Sequence, residues 1–106
     1  MEKLNFAFDG SIAPGASMPV LVGVVGSGNL EVLAEPQANG GHCMVEVSTS
    51  AHGFGAIWEA VLRDFHERHG FADVAISIND MGATPAVVSL RLDQAAARLG
   101  SPGARQ

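Results

Sequence analysis

The hydrophobic repeat of this chain changes between Gly55 and Gly70, and that change limits the folds available to it. Here the apolar residues follow the three- and four-residue spacing of one helix face: Ile57, Trp58, Val61, Leu62 and Phe65. Gly70 stands where a left-handed residue ends a helix. The pattern predicts one amphipathic helix that packs its apolar face on a sheet.

The segments on either side of this helix have the character of β-strands. Alternating or β-branched residues occupy residues 20–25, 30–35, 43–48, 74–79 and 87–92. The predicted order is therefore three strands, the helix and two strands. This order indicates an α+β fold whose small, mostly antiparallel sheet is covered on one face by the helix. The pattern leaves the order of the strands in the sheet open.

Turn residues divide these strands into two expected hairpins. The first has Gly26-Ser27-Gly28-Asn29 at its tip, and the second turns at Asp80-Met81-Gly82. Residues 1–19 are interpreted as an irregular N-terminal arm, because residues 7–19 are rich in Gly, Pro, Ser and Ala. Residues 92–99 predict a short C-terminal helix, and residues 100–106 a frayed tail. The 106 residues are typical of one domain.

The composition argues against several functional classes. Cys43 is the one cysteine, so no disulfide forms within the chain, as suits a reducing cytoplasm. The N-terminus lacks the order of a signal peptide, and no apolar run approaches the roughly 20 residues that span a membrane. The net charge is -5, and lysine and arginine are nowhere concentrated. We therefore expect a soluble cytoplasmic protein that binds neither nucleic acid nor membrane.

The Gly26-Ser27-Gly28 tip is the strongest local anomaly, because it places a hydroxyl between two residues without side chains. A two-residue turn could centre on Gly26-Ser27 or on Gly28-Asn29, since both put glycine where positive φ is needed. A modifying enzyme could reach such a serine without meeting flanking side chains. The same residue types also dominate ordinary turns for backbone reasons. Local chemistry alone leaves both interpretations open.

Other chemistries find little support. The glycines around Ser27 lack the spacing of a nucleotide-binding loop, and no strand-to-helix nucleophile elbow surrounds the serine. His66 and His69 lie three residues apart without further ligands, which is typical of a solvated helix end. Cys43 is expected to be a buried apolar residue. No catalytic residue and no metal site are predicted.

Two stretches of the chain are recognisable together. Residues 21–33, LVGVVGSGNLEVL, and residues 78–92, INDMGATPAVVSLRL, resemble the acyl carrier (delta) subunit family of malonate decarboxylase. Trp58 lies within a matching helix, and the resemblance covers nearly the whole chain. The citrate lyase acyl carrier (gamma) subunit is more loosely similar. The glycine-flanked serine and the Asp-x-Gly-Ala-Thr-Pro segment are specific in combination.

The resemblance implies that Ser27 carries 2′-(5-triphosphoribosyl)-3′-dephospho-CoA through a phosphodiester, with Gly26 and Gly28 supporting the turn. The thiol of this arm would hold acetyl or malonyl, and a prosthetic-group transferase would attach the arm. The implied partners are the acyl transferase and decarboxylase subunits of a biotin-independent complex that converts malonate to acetate and carbon dioxide. The chain itself would be a non-catalytic carrier. The alternative is an unmodified interaction or regulatory subunit that binds a partner through its sheet and hairpins.

Overall fold

The computed structural model describes residues 1–23 and 29–100. Its elements, in chain order, are β1 Glu2–Asp9, β2 Val20–Val22, β3 Leu30–Pro36, β4 His42–Thr49, α1 Gly55–His69, β5 Val74–Asp80 and α2 Pro85–Gly100. The described chain is thus an α+β fold with a five-stranded sheet and two helices, which confirms the predicted class. None of the helices within these ranges is long and apolar enough to cross a bilayer.

The sheet is mixed, with the strand order β1-β4-β5-β3-β2. β4 and β5 are parallel, and the other three neighbouring pairs are antiparallel. The parallel pair arises because α1 carries the chain from the end of β4 back to the start of β5. The expectation of a mostly antiparallel sheet is therefore only partly right.

The segment 37–41 does not form the tight turn of a hairpin between β3 and β4, because β5 lies between these two strands. The segment instead passes over the start of β5, where Asp73 fixes it. One oxygen of the Asp73 carboxylate accepts hydrogen bonds from the backbone N–H of Asn39 at 3.0 Å and of Gly41 at 2.9 Å. The connection is therefore a crossover held by a side chain, and its glycines do not mark a strand pair.

The helix predicted around residues 55–70 is confirmed as α1. Gly70 ends it in the left-handed conformation with φ 63°, and its N–H donates to the carbonyl of His66. Trp58, Leu62 and Phe65 are buried, as predicted. Ile57 departs from the expected stripe, because 47% of its surface is exposed.

Residues 85–100 form one helix, so the predicted strand at 87–92 and the second hairpin are wrong. Thr84 caps the helix, since its hydroxyl oxygen accepts a hydrogen bond of 3.3 Å from the N–H of Val87. Pro85 occupies the first helical position, which it favours because its fixed φ suits the helix and it has no N–H to leave unpaired. Val88 and Leu92 are buried while Leu90 is exposed, as a helical period requires and a strand period does not.

The N-terminal arm predicted for residues 1–19 is wrong for its first half, because residues 2–9 form β1. This strand pairs with β4 over its whole length, from Glu2 opposite Thr49 to Asp9 opposite His42. Leu4, Phe6 and Phe8 alternate toward the core. Residues 10–19 contain no strand apart from a single bridge between Ile12 and Phe71. Gly100 is the last residue of α2, and residues 101–106 of the predicted tail lie outside the described residues.

Both helices pack on the same face of the sheet. The core consists of the inward residues of four strands and of the two helices, with Leu30, Val47, Leu62, Ile78 and Leu92 almost completely buried. The opposite face of the sheet has no helix on it within the described ranges, and Leu21 and Met44 are half-exposed there. This two-layer arrangement leaves the loops at the carboxyl ends of β4 and β5 accessible.

Candidate functional site

The predicted first hairpin is confirmed by the pairing of β2 with β3. Val20 lies opposite Ala34, Leu21 opposite Leu33 and Val22 opposite Val32. Position 27 is the midpoint in sequence of each of these pairs. Gly26, Ser27 and Gly28 themselves lie outside the described residues, so the turn type and the role of Ser27 stay predictions. The strand ends at Val22, three residues earlier than predicted.

The residues that flank this connection on either side both have left-handed backbone conformations. Gly23 has φ 78° and Asn29 has φ 60°. A Cβ atom on Gly23 would lie 2.5 Å from the carbonyl oxygen of Leu30, so the position requires glycine for space as well as for conformation. Asparagine is among the few other residues that tolerate positive φ. The local sequence thus specifies how the chain leaves β2 and enters β3.

The entry into β3 is tied to the loop that follows β5. The N–H of Met81 donates a 2.8 Å hydrogen bond to the carbonyl oxygen of Asn29. Leu30, the first residue of β3, lies opposite Asp80, the last residue of β5. The base of the β2–β3 connection is therefore held against the carboxyl end of β5, two residues from Ser27.

Asp80 lies buried at this end of the sheet, where only 3% of its surface is exposed. One carboxylate oxygen, Oδ2, accepts a 2.8 Å hydrogen bond from the hydroxyl of Thr49. The other, Oδ1, accepts hydrogen bonds from the N–H of Gly82 at 3.2 Å and of Ala83 at 2.8 Å. A buried carboxylate needs such donors to replace its lost hydration. Asp80 thereby joins the loop after β4 to the loop after β5.

From the sequence, Asp80 was recognised as a turn residue and as the start of the Asp-x-Gly-Ala-Thr-Pro segment, whereas its buried role and Thr49 were missed. The alternation of inward and outward residues along each strand could have identified both of them. Asp80 continues the inward series of Val74, Ile76 and Ile78, and Thr49 continues the inward series of β4. A carboxylate and a hydroxyl at the inward-facing ends of two strands indicate a buried polar pair.

Arg91 lies against the other end of the connection. A Cβ atom built on Gly23 would be 2.9 Å from Cδ of Arg91 and 3.0 Å from its Nε. Nε is shielded from solvent and has no hydrogen-bond partner among residues 1–23 and 29–100. Glycine at position 23 therefore allows a guanidinium group to approach the backbone at the start of the β2–β3 connection. Sequence reasoning did not single out Arg91, because α2 was not predicted at this position.

An apolar groove of about 310 Å³ opens at the same end of the sheet. Phe54, Ile57 and Trp58 of the α1 region form one wall, Ala83 and Val88 form another, and Asp80 lies among the lining residues. Ile57 and Phe54 are each nearly half-exposed at its rim. The exposure of Ile57, unexpected from the helical stripe, is explained by its place on this groove.

The other chemically notable side chains lie elsewhere. Cys43 is buried, and this burial raises the pKa of its thiol to about 11. Nε2 of His66 lies 2.7 Å from the carbonyl oxygen of Asp9, and Nε2 of His69 lies 3.3 Å from a carboxylate oxygen of Asp93. Within residues 1–23 and 29–100, no three His, Cys, Asp or Glu side chains are grouped so that they could hold a metal ion.

The sequence and the fold both match one family of known proteins. A family model for the malonate decarboxylase delta subunit (MdcD) matches residues 17–99. The chain belongs to this family. The malonate decarboxylase acyl carrier protein of Burkholderia cepacia is 70% identical over 101 residues, which are 95% of this chain and 93% of that protein. The one from Stenotrophomonas maltophilia strain R551-3 is 58% identical over 96 residues, or 90% of this chain and 91% of the relative.

A solved structure agrees with the sequence relatives of the malonate decarboxylase carrier family. One chain of a crystal structure of a Pseudomonas malonate decarboxylase hetero-tetramer in complex with malonate matches this fold with a TM-score of 0.83. The identity is 40%, and the match covers 94% of this chain and 100% of that one. The resemblance inferred from residues 21–33 and 78–92 is confirmed. Membership in this family supports a carrier role within a malonate decarboxylase complex.

Proposed function

We propose that this chain is the acyl carrier subunit of a biotin-independent malonate decarboxylase and that Ser27 is the attachment point of its prosthetic arm. The observation that supports this most is the pairing of β2 with β3, whose register makes position 27 the midpoint in sequence between the two strands. The base of their connection is fixed by the hydrogen bond between Met81 and Asn29. A transferase could reach such a residue while the rest of the fold stays unchanged.

The residues beside the connection suit a group like 2′-(5-triphosphoribosyl)-3′-dephospho-CoA, which is large and anionic. Gly23 lets the Arg91 side chain pack against its backbone, and the buried Nε of Arg91 has no acceptor within the described part of the chain. When attached, the arm supplies a thiol that carries acetyl or malonyl as a thioester. The protein's own contribution is to hold the base of the arm in one place through the hydrogen bonds around Asp80.

The chemistry in this proposal belongs to the partner subunits. An acyl transferase subunit exchanges acetyl for malonyl, and decarboxylase subunits release carbon dioxide, so that the complex converts malonate to acetate. The carrier contributes tethering, which raises the effective concentration of the acyl group at successive active sites. The single cysteine, buried in β4, suits the reducing cytoplasm in which we place this complex.

Intact mass spectrometry of the full chain, purified from its native source, tests the proposal. We expect a mass above that of the sequence by one prosthetic group, and peptide mapping should place the excess on Ser27. Ser27→Ala should abolish the mass increase and the decarboxylase activity of the complex while the circular dichroism spectrum is retained. Ser50→Ala is the matched control, because Ser50 is an exposed loop serine outside the connection.

An unmodified native pool would contradict the carrier proposal. If such a chain still assembled with its partner subunits, the alternative of an interaction or regulatory subunit would be supported. If Ser27→Ala prevented folding, the serine would be a structural turn residue. A mass increase on a residue other than Ser27 would keep the carrier role and refute the site.

A further inference from the structure

We propose that Arg91 binds the phosphate groups at the base of the arm and so orients the arm where it leaves the protein. This inference rests on the proposed attachment at Ser27. It assigns a binding role to a residue of α2 that lies far from Ser27 in sequence. The ligand class is a phosphodiester or pyrophosphate anion covalently linked to the chain.

The side chain of Arg91 packs closely against the start of the β2–β3 connection. Its side chain crosses Gly23 so closely that a Cβ there would be 2.9 Å from Cδ and 3.0 Å from Nε. Nε is buried and has no hydrogen-bond partner in the part of the chain that the structure describes. Buried donors in native proteins normally have an acceptor, because an unpaired donor loses its hydration without compensation. Arg91 therefore lies beside the connection and has an N–H donor that is not paired with an acceptor in the described residues.

The other basic side chains of the described residues have partners or lie far from this connection. Arg63 pairs with Glu59 at 2.9 Å, and Arg68 pairs with Asp93 at 2.7 Å. Arg98 donates a 3.0 Å hydrogen bond to the carbonyl oxygen of Leu21. Lys3 lies on β1, at the sheet edge opposite to β2. Among the arginines of residues 1–23 and 29–100, Arg91 is the one with neither an ion pair nor a hydrogen bond. It is also the one that lies beside the β2–β3 connection.

The chemistry of the arm suits an arginine side chain. A guanidinium group presents parallel N–H donors that match two oxygens of a phosphate. The protein has a net charge of -5, so an anionic arm would otherwise lie in an unfavourable field. Ser27 is two residues from Asn29 in sequence. If Ser27 carries the arm, the phosphodiester belongs to the same short connection that Arg91 borders.

Phosphorus NMR of the modified full chain tests this role without measuring catalysis. In the wild-type holo protein, the phosphodiester and pyrophosphate resonances should differ from those of the same protein unfolded in urea. In Arg91→Gln they should move toward the unfolded positions. Arg91→Lys keeps the charge but not the paired donors, so it should give intermediate positions. Arg63→Gln is the matched control, since it removes an equal charge from an exposed pair on α1 and should leave the spectrum unchanged.

Thermal unfolding provides a second measurement on the same samples. Attachment of the arm should raise the melting temperature of the wild type by about 10 °C, the shift expected from one charge-assisted hydrogen bond in a domain of this length. The rise should be absent in Arg91→Gln and present in Arg63→Gln. Mass spectrometry confirms that each variant carries the arm.

Phosphorus resonances that are identical in the wild type and Arg91→Gln would overturn the inference. If Arg91→Gln lowered the melting temperature of the unmodified protein while the arm-dependent rise persisted, Arg91 would be a packing residue only. If Arg91→Gln failed to fold, Arg91→Lys would decide, because resonances unchanged by that variant would also refute paired phosphate binding. A native protein without any arm on Ser27 would instead refute the proposed function, and the inference with it.

Discussion

The hydroxyl of Thr49 donates a 2.8 Å hydrogen bond to the Oδ2 atom of Asp80, and both residues are buried. They are the last residues of β4 and β5 and lie opposite each other in the parallel ladder. The hydroxyl oxygen of Thr49 also accepts a 3.1 Å hydrogen bond from the N–H of Ala51. Two side chains thus fix the loops that surround the base of the β2–β3 connection.

Replacement of Asp80 should show how much this pair contributes. Asp80→Ala leaves the Thr49 hydroxyl and the N–H groups of Gly82 and Ala83 without their acceptor. We expect the free energy of unfolding to fall by about 3 kcal/mol, measured by urea denaturation. The control is Asp64→Ala, which removes an exposed ion pair with Arg68 and should change stability by at most about 1 kcal/mol. Equal effects of the two variants would show that the buried pair is unimportant.

Gly23 should be far less tolerant of a side chain than another glycine with a similar backbone conformation. Gly23→Ala combines a positive φ of 78° with a Cβ only 2.5 Å from the Leu30 carbonyl oxygen. Gly53 has φ 84°, but a Cβ there meets nothing within 4 Å. We expect Gly53→Ala to cost about 1 kcal/mol and Gly23→Ala clearly more, as measured by chemical denaturation. Equal costs would mean that the chain at Gly23 relaxes without loss of stability.

Asp73 should contribute to the loss of stability in acid. Hydrogen bonds from the N–H groups of Asn39 and Gly41 lower the pKa of its carboxyl group below the ordinary value. A carboxyl whose pKa is lowered by folding stabilises the protein above its unfolded pKa and loses that contribution as the pH falls through the folded value. Stability should therefore decline below about pH 4, and less steeply in Asp73→Asn.

Thermal unfolding between pH 2 and pH 7 measures this dependence. Asn at position 73 keeps an oxygen that can accept the two N–H groups and removes only the charge. Glu67→Gln is a suitable control, because Glu67 is exposed on α1. A wild type and an Asp73→Asn variant with parallel pH profiles would refute the prediction.

Cys43 should be unreactive in the folded chain. Its thiol is buried, and the pKa of about 11 leaves very little thiolate near neutral pH. With a colorimetric thiol reagent at pH 8, the unmodified native protein should react slowly, and one equivalent should react at once in denaturant. Cys43→Ala should give no reaction in either state. Rapid reaction of the native unmodified chain would show that β4 opens more readily than its packing indicates.

Several elements were predictable from local pattern alone. The helix α1 follows from its apolar spacing and from Gly70, and strands β3, β4 and β5 follow from alternation. The candidate Ser27 and the family resemblance also came from the sequence. These features depend on residues close together in the chain, where side-chain periodicity and turn chemistry act directly.

The predicted strand at residues 87–92 is wrong for a specific reason. Val88 and Leu92 are four residues apart, so they satisfy the period of a strand and that of a helix equally well. The hydroxyl of Thr84 and the ring of Pro85 favour the helix at its first turn. Burial of one side of α2 against β2 and β3 then stabilises it.

Local pattern was enough to predict the amphipathic helix, the inward faces of three strands, the family and the candidate serine, because each depends on local periodicity or on a contiguous motif. The place of β5 between β4 and β3 depends instead on long-range packing, since the crossover through α1 returns the chain parallel to β4. Long-range packing also brings Thr49 to Asp80 and Arg91 to Gly23. These contacts join residues dozens of positions apart, and only the packed sheet and helices bring them together at the base of the Ser27 connection.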